Sequence, residues 1–303
     1  MKNFVYDNSP FPIYHTGSKC MVHTKLKSTP RLLLMGILLL SLAACQPVSL
    51  AADTPIEGSA IPAAVAFAIN EQGLTAPEEV PSGLVNVTFA NNDLAPHVLF
   101  VGWLAEGVSA EEILNAPPPG DPSQSNWVNG VFLASGTQVD ALLDFTADHH
   151  YFVQEVFVEK PAFVEFAATG PASTITAPGA AVTVEAVDFS YIMPDALKAG
   201  EQWWQVSNMG TQTHDLGIYK LEGDLTLEAL QAQLSALDSQ EQAPPPVTAI
   251  PSWAVGVGQT TWVKFDLPAG NYVVLCRVPD FSTNPPGPDH WHKGMVHQFT
   301  ITE

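Results

Sequence analysis

Residues able to bind a soft metal gather at the end of the chain. Cys276 closes an apolar run, His290 follows after thirteen intervening residues, Met295 comes five positions later, and His214 stands on an earlier apolar segment. One thiolate, two imidazoles and one thioether make the donor set of a blue copper centre, because copper in either oxidation state favours sulfur and imidazole over hard oxygen ligands. His292, three residues before Met295, competes with His290 for the second imidazole position. His297 falls inside the final apolar run and reads as a surface or core residue. No glycine-rich phosphate loop, GxSxG or HExxH is present, so nothing points to a hydrolase and no enzyme is expected.

Whether Cys276 is free to bind metal depends on the compartment. Lys25, Lys27 and Arg31 precede the apolar run 32–40, which leads into Leu42, Ala43, Ala44 and Cys45. A positive start, a short apolar stretch and small residues describe a secretory signal, too short to span a bilayer. The Leu-Ala-Ala-Cys ending resembles the lipobox of bacterial lipoproteins. That resemblance implies a signal over 1–44, cleavage before Cys45 and lipid on that cysteine. Met21 would start a signal of ordinary length. The stretch 45–62 then reads as a lipidated linker, small and polar enough to give reach rather than rigidity.

Removing the signal sharpens both charge and cysteine usage. Residues 1–44 carry five of the eleven Lys and Arg but one of the thirty-one acids, leaving six bases against thirty acids, a net charge of −24. Such a surface repels nucleic acid and anionic headgroups. A basic protein partner suits it, as does simple solubility. Cys20 leaves with the signal and Cys45 takes the lipid, so Cys276 is the single remaining thiol, without a disulfide partner.

An internal repeat sets the organisation. The segment VPSGLVNVTFANNDLAPHVLFVGWLAEGVSAEEI aligns without gaps on LKAGEQWWQVSNMGTQTHDLGIYKLEGDLTLEAL, matching Gly83 to Gly200, Asn91 to Asn208 and His97 to His214. A second block matches Gly136 to Gly258 and the strand ending at Phe145 to the one ending at Leu267. The expectation is two homologous domains, 63–170 and 180–303, joined through the small and polar stretch between them.

Each domain reads as β-structure. The runs 85–90, 98–103, 151–158, 202–207, 216–221, 261–267, 271–276 and 296–301 are rich in β-branched and aromatic residues. Trp203 and Trp204 should then face opposite sides of their strand, and Tyr272, Val274 and Cys276 should share one face. Leu267-Pro268-Ala269-Gly270 has proline and glycine where a type I turn prefers them, which predicts a hairpin. One helix per domain is expected, capped by Ser109 or Thr226 with a glutamate close behind and running to about Asn115 and Leu237. The proline runs 117–119 and 244–246 follow them. Many short strands with Pro and Gly between them predict an all-β fold of two tandem Greek-key sandwiches, each with a short helix.

With these residues placed, the chain resembles the cupredoxins, the plastocyanin and azurin group of blue copper proteins, twice over. SNMGTQTHDL before His214, LPAGNYVVLC into Cys276 and PDHWHKGMVHQFTI at the end carry the resemblance, which covers most of 185–303. It implies His214, Cys276 and His290 as strong ligands of one mononuclear copper, and Met295 as the weak axial one. It also implies one-electron transfer with a redox protein partner. A copper carrier or storage lipoprotein exchanging metal with its partner would use the same ligands, and a metal-free binding or assembly module is the reading without copper. The segment 277–289, with Pro279, Pro285, Pro286 and Pro288, departs from the family as an insertion; its Arg277 either lowers the thiol pKa or faces water.

The first domain shares the topology and His97 but not the donor set. Aligned through its last strands, Gln154 takes the place of Cys276, or Glu155 if the register slips by one, and no methionine follows. His97 then reads as a hydrogen-bonded residue of a metal-free copy, with a zinc or copper site beside His149 and His150 as the alternative. Those adjacent histidines are expected in a turn.

Overall fold

A computed structural model describes residues 64–115, 125–156, 158, 160–169, 171–238, 250–283 and 286–303. The signal-like segment, Cys45, the linker and both proline runs lie outside the described residues.

The first half contains β1 (Val65–Asn70), β2 (Gly73–Thr75), β3 (Glu79–Val80), β4 (Gly83–Asn91), β5 (His97–Leu104), α1 (Ala110–Asn115), β6 (Ser125–Leu133), β7 (Gln138–Phe145), β8 (His150–Val156) and β9 (Phe163–Ala168). The second contains β10 (Val182–Val187), β11 (Ser190–Ile192), β12 (Ala196–Lys198), β13 (Gly200–Asn208), β14 (His214–Leu221), α2 (Leu227–Asp238), β15 (Trp253–Val255), β16 (Thr260–Leu267), β17 (Gly270–Leu275) and β18 (Val296–Thr302). The described fold is two β-sheets with two helices, all-β as expected. Period-two burial explains the central strands: Val85, Val87 and Phe89 of β4 point inward, as do Thr261, Val263, Phe265 and Leu267 of β16. Both helices start where the caps predict. Ser109 Oγ accepts from Glu112 N at 3.3 Å while the Glu112 carboxylate reaches back to Ser109 N at 2.8 Å, and Thr226 Oγ1 accepts from Ala229 N at 3.2 Å.

The strands form two sheets that run unbroken through both halves. One has the order β11-β10-β13-β16-β7-β4-β1-β2 and the other β12-β18-β17-β14-β15-β6-β5-β8-β9-β3. Replacing each strand by its repeat counterpart reverses either order, so the halves meet like through like. The joins are β16 on β7, with Trp262 opposite Leu142, and β15 on β6, with Trp253 opposite Val131. At the second join the chains touch closely: a Cβ on Gly256 would lie 1.8 Å from the Trp127 carbonyl oxygen, so only glycine fits. Phe89 of one half meets Trp253 of the other edge-on at 5.9 Å, within a core to which both sheets and both halves contribute. The halves are thus continuous in sheet and core.

One expectation fails in an informative way. The Leu267 to Gly270 turn does not close a hairpin, because β16 pairs with β13 and β7 whereas β17 pairs with β14 and β18. The turn is a corner that carries the chain from one sheet to the other. Turn chemistry specifies a reversal, but not whether the flanking strands then pair. Trp204 is buried while Trp203 is half-buried beneath Lys264, in line with alternation. The turn beside the paired histidines is formed by Ala147 and Asp148, with His150 opening β8.

Candidate metal centre

His214, Cys276 and His290 converge, each fully buried, with one donor atom from each lying within 4.8 Å of the others. His214 Nδ1 stands 3.2 Å from His290 Nδ1, which is 3.4 Å from Cys276 Sγ. It is the only such cluster of His, Cys, Asp and Glu among the described residues.

Each donor is delivered by a local device. His214 opens β14 after a loop tied down by Asn208, whose Nδ2 donates to the Gln212 and Val255 carbonyls at 2.8 Å each while its Oδ1 accepts from Gly210 N at 2.9 Å. Cys276 comes one residue past β17, whose two faces are both buried. Tyr272, Val274 and Cys276 face the main core, whereas Val273 and Leu275 pack under α2 with Leu230, Leu234 and Trp291. Trp291 thereby anchors the turn that carries His290.

The insertion returns on itself. Pro279 bridges Asp289, Asp280 N–H donates to the Pro288 carbonyl at 3.2 Å and Gly287 N–H to the Asp280 carbonyl at 2.7 Å. Lys293 ion-pairs with the buried Asp280 carboxylate and holds it well below the usual carboxylate range. The finger ends with His290 N–H donating to the Val278 carbonyl at 2.9 Å and Trp291 N–H to the Cys276 carbonyl at 3.0 Å. These bonds set His290 beside Cys276. His292, by contrast, is exposed and stacks outside on Trp291 at 3.6 Å. Met295 is fully buried in the core that holds Cys276; its N–H donates to the His290 carbonyl and its carbonyl accepts from Cys276 N–H, both at 3.2 Å. His297 lies in β18 near Asp195.

The electrostatics suit a metal rather than free charges. Burial pushes the Cys276 thiol well up, with the Asp215 carboxylate adding to it, while Asp215 N–H donates to Sγ at 3.3 Å and so favours a thiolate once formed. Burial, reinforced by His214, lowers His290 to about 4, and burial also lowers His214 against the opposing pull of Asp188. At neutral pH both imidazoles are therefore neutral, with lone pairs to offer. Arg277 neither faces water nor governs the thiol: it lies against Asp289, and burial sets the Cys276 shift. Asp215 itself is raised to about 7 by burial, with Arg277 opposing.

Several residues around the ligands escaped the sequence reading. Asp188 Oδ1 accepts from His214 Nε2 at 2.9 Å, Phe189 packs edge-on against His290 with centroids 5.1 Å apart, and Gln212 Oε1 lies 3.4 Å from His290 Nε2 while accepting from Phe281 N at 2.9 Å. Gln212 was within reach, being inside the motif before His214. Asp188 carried no motif, only its place in the repeat opposite Glu71.

In the first half, hydrogen-bond register decides between the two candidates for Cys276's place. Leu99 pairs with Glu155, and the pairing of Gly217 with Leu275 puts Cys276 opposite Leu216, the repeat counterpart of Leu99. Glu155 is thus the equivalent. Its Oε1 lies 2.5 Å from His97 Nδ1, and Asp93 Oδ2 lies 3.1 Å from His97 Nε2. Both ring nitrogens of His97 are engaged by carboxylates, so the hydrogen-bonded reading holds. The Glu155 bond raises the His97 pKa against the cost of burial. His149 is occupied elsewhere, its ring edge-on to Trp103 at 5.7 Å.

No family model and no curated protein matches the sequence. Solved structures similar to it include dithionite-reduced auracyanin from the photosynthetic bacterium Roseiflexus castenholzii, with 20% identity over 41% of this chain and 100% of that one and a TM-score of 0.28. Auracyanin B has 20% identity over 43% and 96% with a TM-score of 0.26, and a variant of the McoA multicopper oxidase from Aquifex aeolicus 12% over 79% and 65% with a TM-score of 0.23. The class is defined by this chain's own strands and donors. A buried thiol, two neutral imidazoles and a buried thioether at the end of a β-sandwich fit copper, so the chain is a β-sandwich with a copper-type donor set.

Proposed function

We propose that the protein is a one-electron carrier rather than an enzyme, exported and held to the membrane by lipid on Cys45, with one mononuclear blue copper site in its C-terminal half. His214, Cys276 and His290 would hold the metal, with Met295 as a weaker fourth donor. Bound copper would supply one-electron chemistry, cycling between Cu(I) and Cu(II). The observation that carries this reading is the complete burial of all four side chains. Sealed donors leave no open position for a substrate, and they disfavour handing the metal on, which needs a ligand within a partner's reach. The chain's task is to hold the imidazoles fixed, so that little rearranges when charge changes. Cys276 would supply a covalent route into β17, and Met295 would tune the potential. The acidic surface, −20 over the whole chain, suits a redox partner with a basic face. Among the described residues no helix is long and apolar enough to cross a membrane.

The test is metal loading of the purified protein. With Cu(II) it should turn blue through thiolate charge transfer and show a reversible one-electron wave in voltammetry. A colourless protein without bound copper would sink the reading, and binding of Cu(I) alone with release to an acceptor would establish carriage instead. Cys45→Ser should move the protein from the membrane to the soluble fraction.

A further inference from the structure

The connection between β10 and β11 turns on two residues, Asp188 and Phe189, between the paired Val187 and Ser190. Each touches a different ligand imidazole. The Asp188 carboxylate accepts from His214 Nε2, and the Phe189 ring stands edge-on to His290. One hairpin tip thus reaches the outer side of both histidines.

The tip is built for this contact. Thr211 N–H donates to Asp188 Oδ1 and Oδ2 at 2.9 and 3.0 Å, and its hydroxyl donates to Oδ2 at 2.6 Å, so the carboxylate is oriented before it meets the imidazole. Gly210 leaves the necessary space: a Cβ there would lie 2.3 Å from Asp188 Oδ1 and 2.5 Å from His214 Nε2. Phe189 holds a φ of 65°, a left-handed conformation that a bulky side chain adopts only where its surroundings enforce it. Its ring lies between His290 and Lys293, whose Nζ stands 4.5 Å from the ring centroid. The equivalent tip of the first half, Glu71 and Gln72, is exposed and has no positive φ. The strain is present where the tip meets two imidazoles and absent where it does not.

A carboxylate on Nε2 selects one tautomer. His214 carries its proton on Nε2 and presents the Nδ1 lone pair to the cluster, and the nearby negative charge makes that nitrogen a stronger donor. We propose that the Asp188–Phe189 tip is a positioning device for the copper ligands, in which Asp188 sets the tautomer of His214 and favours Cu(II) over Cu(I), and Phe189 keeps the His290 ring from turning away. The proposal rests on the copper reading above.

Two variants of the full chain test it. In Asp188→Asn the Cu(II) affinity should fall about tenfold relative to Cu(I), a rise in reduction potential of about 59 mV for one electron. Long-range nitrogen NMR of the metal-free protein should show the Nε2–H tautomer of His214 in the wild type and a mixture in the variant. In Phe189→Leu, which keeps an apolar side chain against the core but removes the ring edge from His290, the metal-free unfolding midpoint should be no lower than in the wild type, while copper loss to a chelator accelerates about tenfold. An unchanged potential or an unchanged tautomer overturns the role of Asp188. Unchanged copper loss, or faster loss accompanied by a lower midpoint, overturns that of Phe189. A wild type that takes up no copper overturns the copper reading and the proposal together, a failure told apart from the others by the wild-type spectrum alone.

Discussion

The two halves of the molecule place an imidazole at the same point of the same loop and surround it differently. In both, an asparagine pins the loop: Asn91 Nδ2 donates to the Ala95 carbonyl at 2.7 Å as Asn208 Nδ2 does to that of Gln212 at 2.8 Å. In both, a carboxylate meets Nε2 of the histidine. In the first half that carboxylate is Asp93, at the repeat position of Gly210, and in the second it is Asp188, from the neighbouring hairpin. The difference lies on Nδ1. Glu155 closes that side in the first half, whereas Cys276 and His290 leave three donors facing one point in the second. The strand after Glu155 begins eight positions on, at Phe163, while that after Cys276 begins twenty positions on, at Val296. The longer connection is what delivers His290 and Met295. A shared scaffold therefore supports either a carboxylate–imidazole pair or a metal site, according to one strand-end residue and one loop.

The largest expected effect breaks this contrast outright. Cys276→Ser should abolish the blue absorption of the copper-loaded protein, read in the visible spectrum. Glu155→Cys places a thiol beside His97 without a second imidazole, and should leave the first half colourless. Next comes the choice of histidine. His290→Gln should weaken copper binding by more than about 100-fold, while His292→Gln, altering an exposed ring, should leave it unchanged in a chelator competition.

The halves should also respond to acid with opposite sign. His290 is depressed to about 4 from an ordinary 6.5, so in metal-free protein the unfolded chain binds the extra proton between these values. Stability then falls as pH drops from 6.5 to 4, by roughly 3 kcal/mol. His97 is raised, so its contribution is fully present below about 6.5 and is lost as pH rises through its folded-state pKa. Urea unfolding of the metal-free protein across this range, compared with His97→Gln and His290→Gln, should show each slope shrink in its own variant, His214 keeping part of the acid slope. Smaller again, Gly210→Ala should destabilise by about 1–3 kcal/mol, because its Cβ overlaps the pair that Gly210 makes room for. Smallest is Leu94→Ser, at a residue 86% exposed on the equivalent loop of the first half, expected within about 0.5 kcal/mol of the wild type.

Much of the scaffold was legible because its signals are local. Runs of β-branched and aromatic residues at 85–90 and 261–267 mark strands, and Ser109 with a glutamate close behind marks a helix start. Short or weakly patterned strands such as β2, β3, β11, β12 and β15 escaped, since two or three residues carry too little periodicity. Register in the first half escaped for a related reason. Phe145 and Leu267 are equivalent, yet Glu155 lies ten positions beyond the first and Cys276 nine beyond the second, so the corner of the first half is one residue longer. An ungapped alignment through that corner names Gln154 first.

The amino-acid sequence by itself determined the donor types, the repeat, the all-β character and the loss of sulfur from the first half, for these depend on residue identity and short-range pattern. Tertiary structure decided the rest. Whether His290 or His292 turns inward depends on how the insertion folds back through Asp280 and Pro288 and on Trp291 lodging beneath α2. The fusion of the halves into two shared sheets depends on edge pairing between strands over a hundred residues apart. Contacts of this kind are fixed by packing and by hydrogen-bond satisfaction across the whole chain, and no local run of residues encodes them.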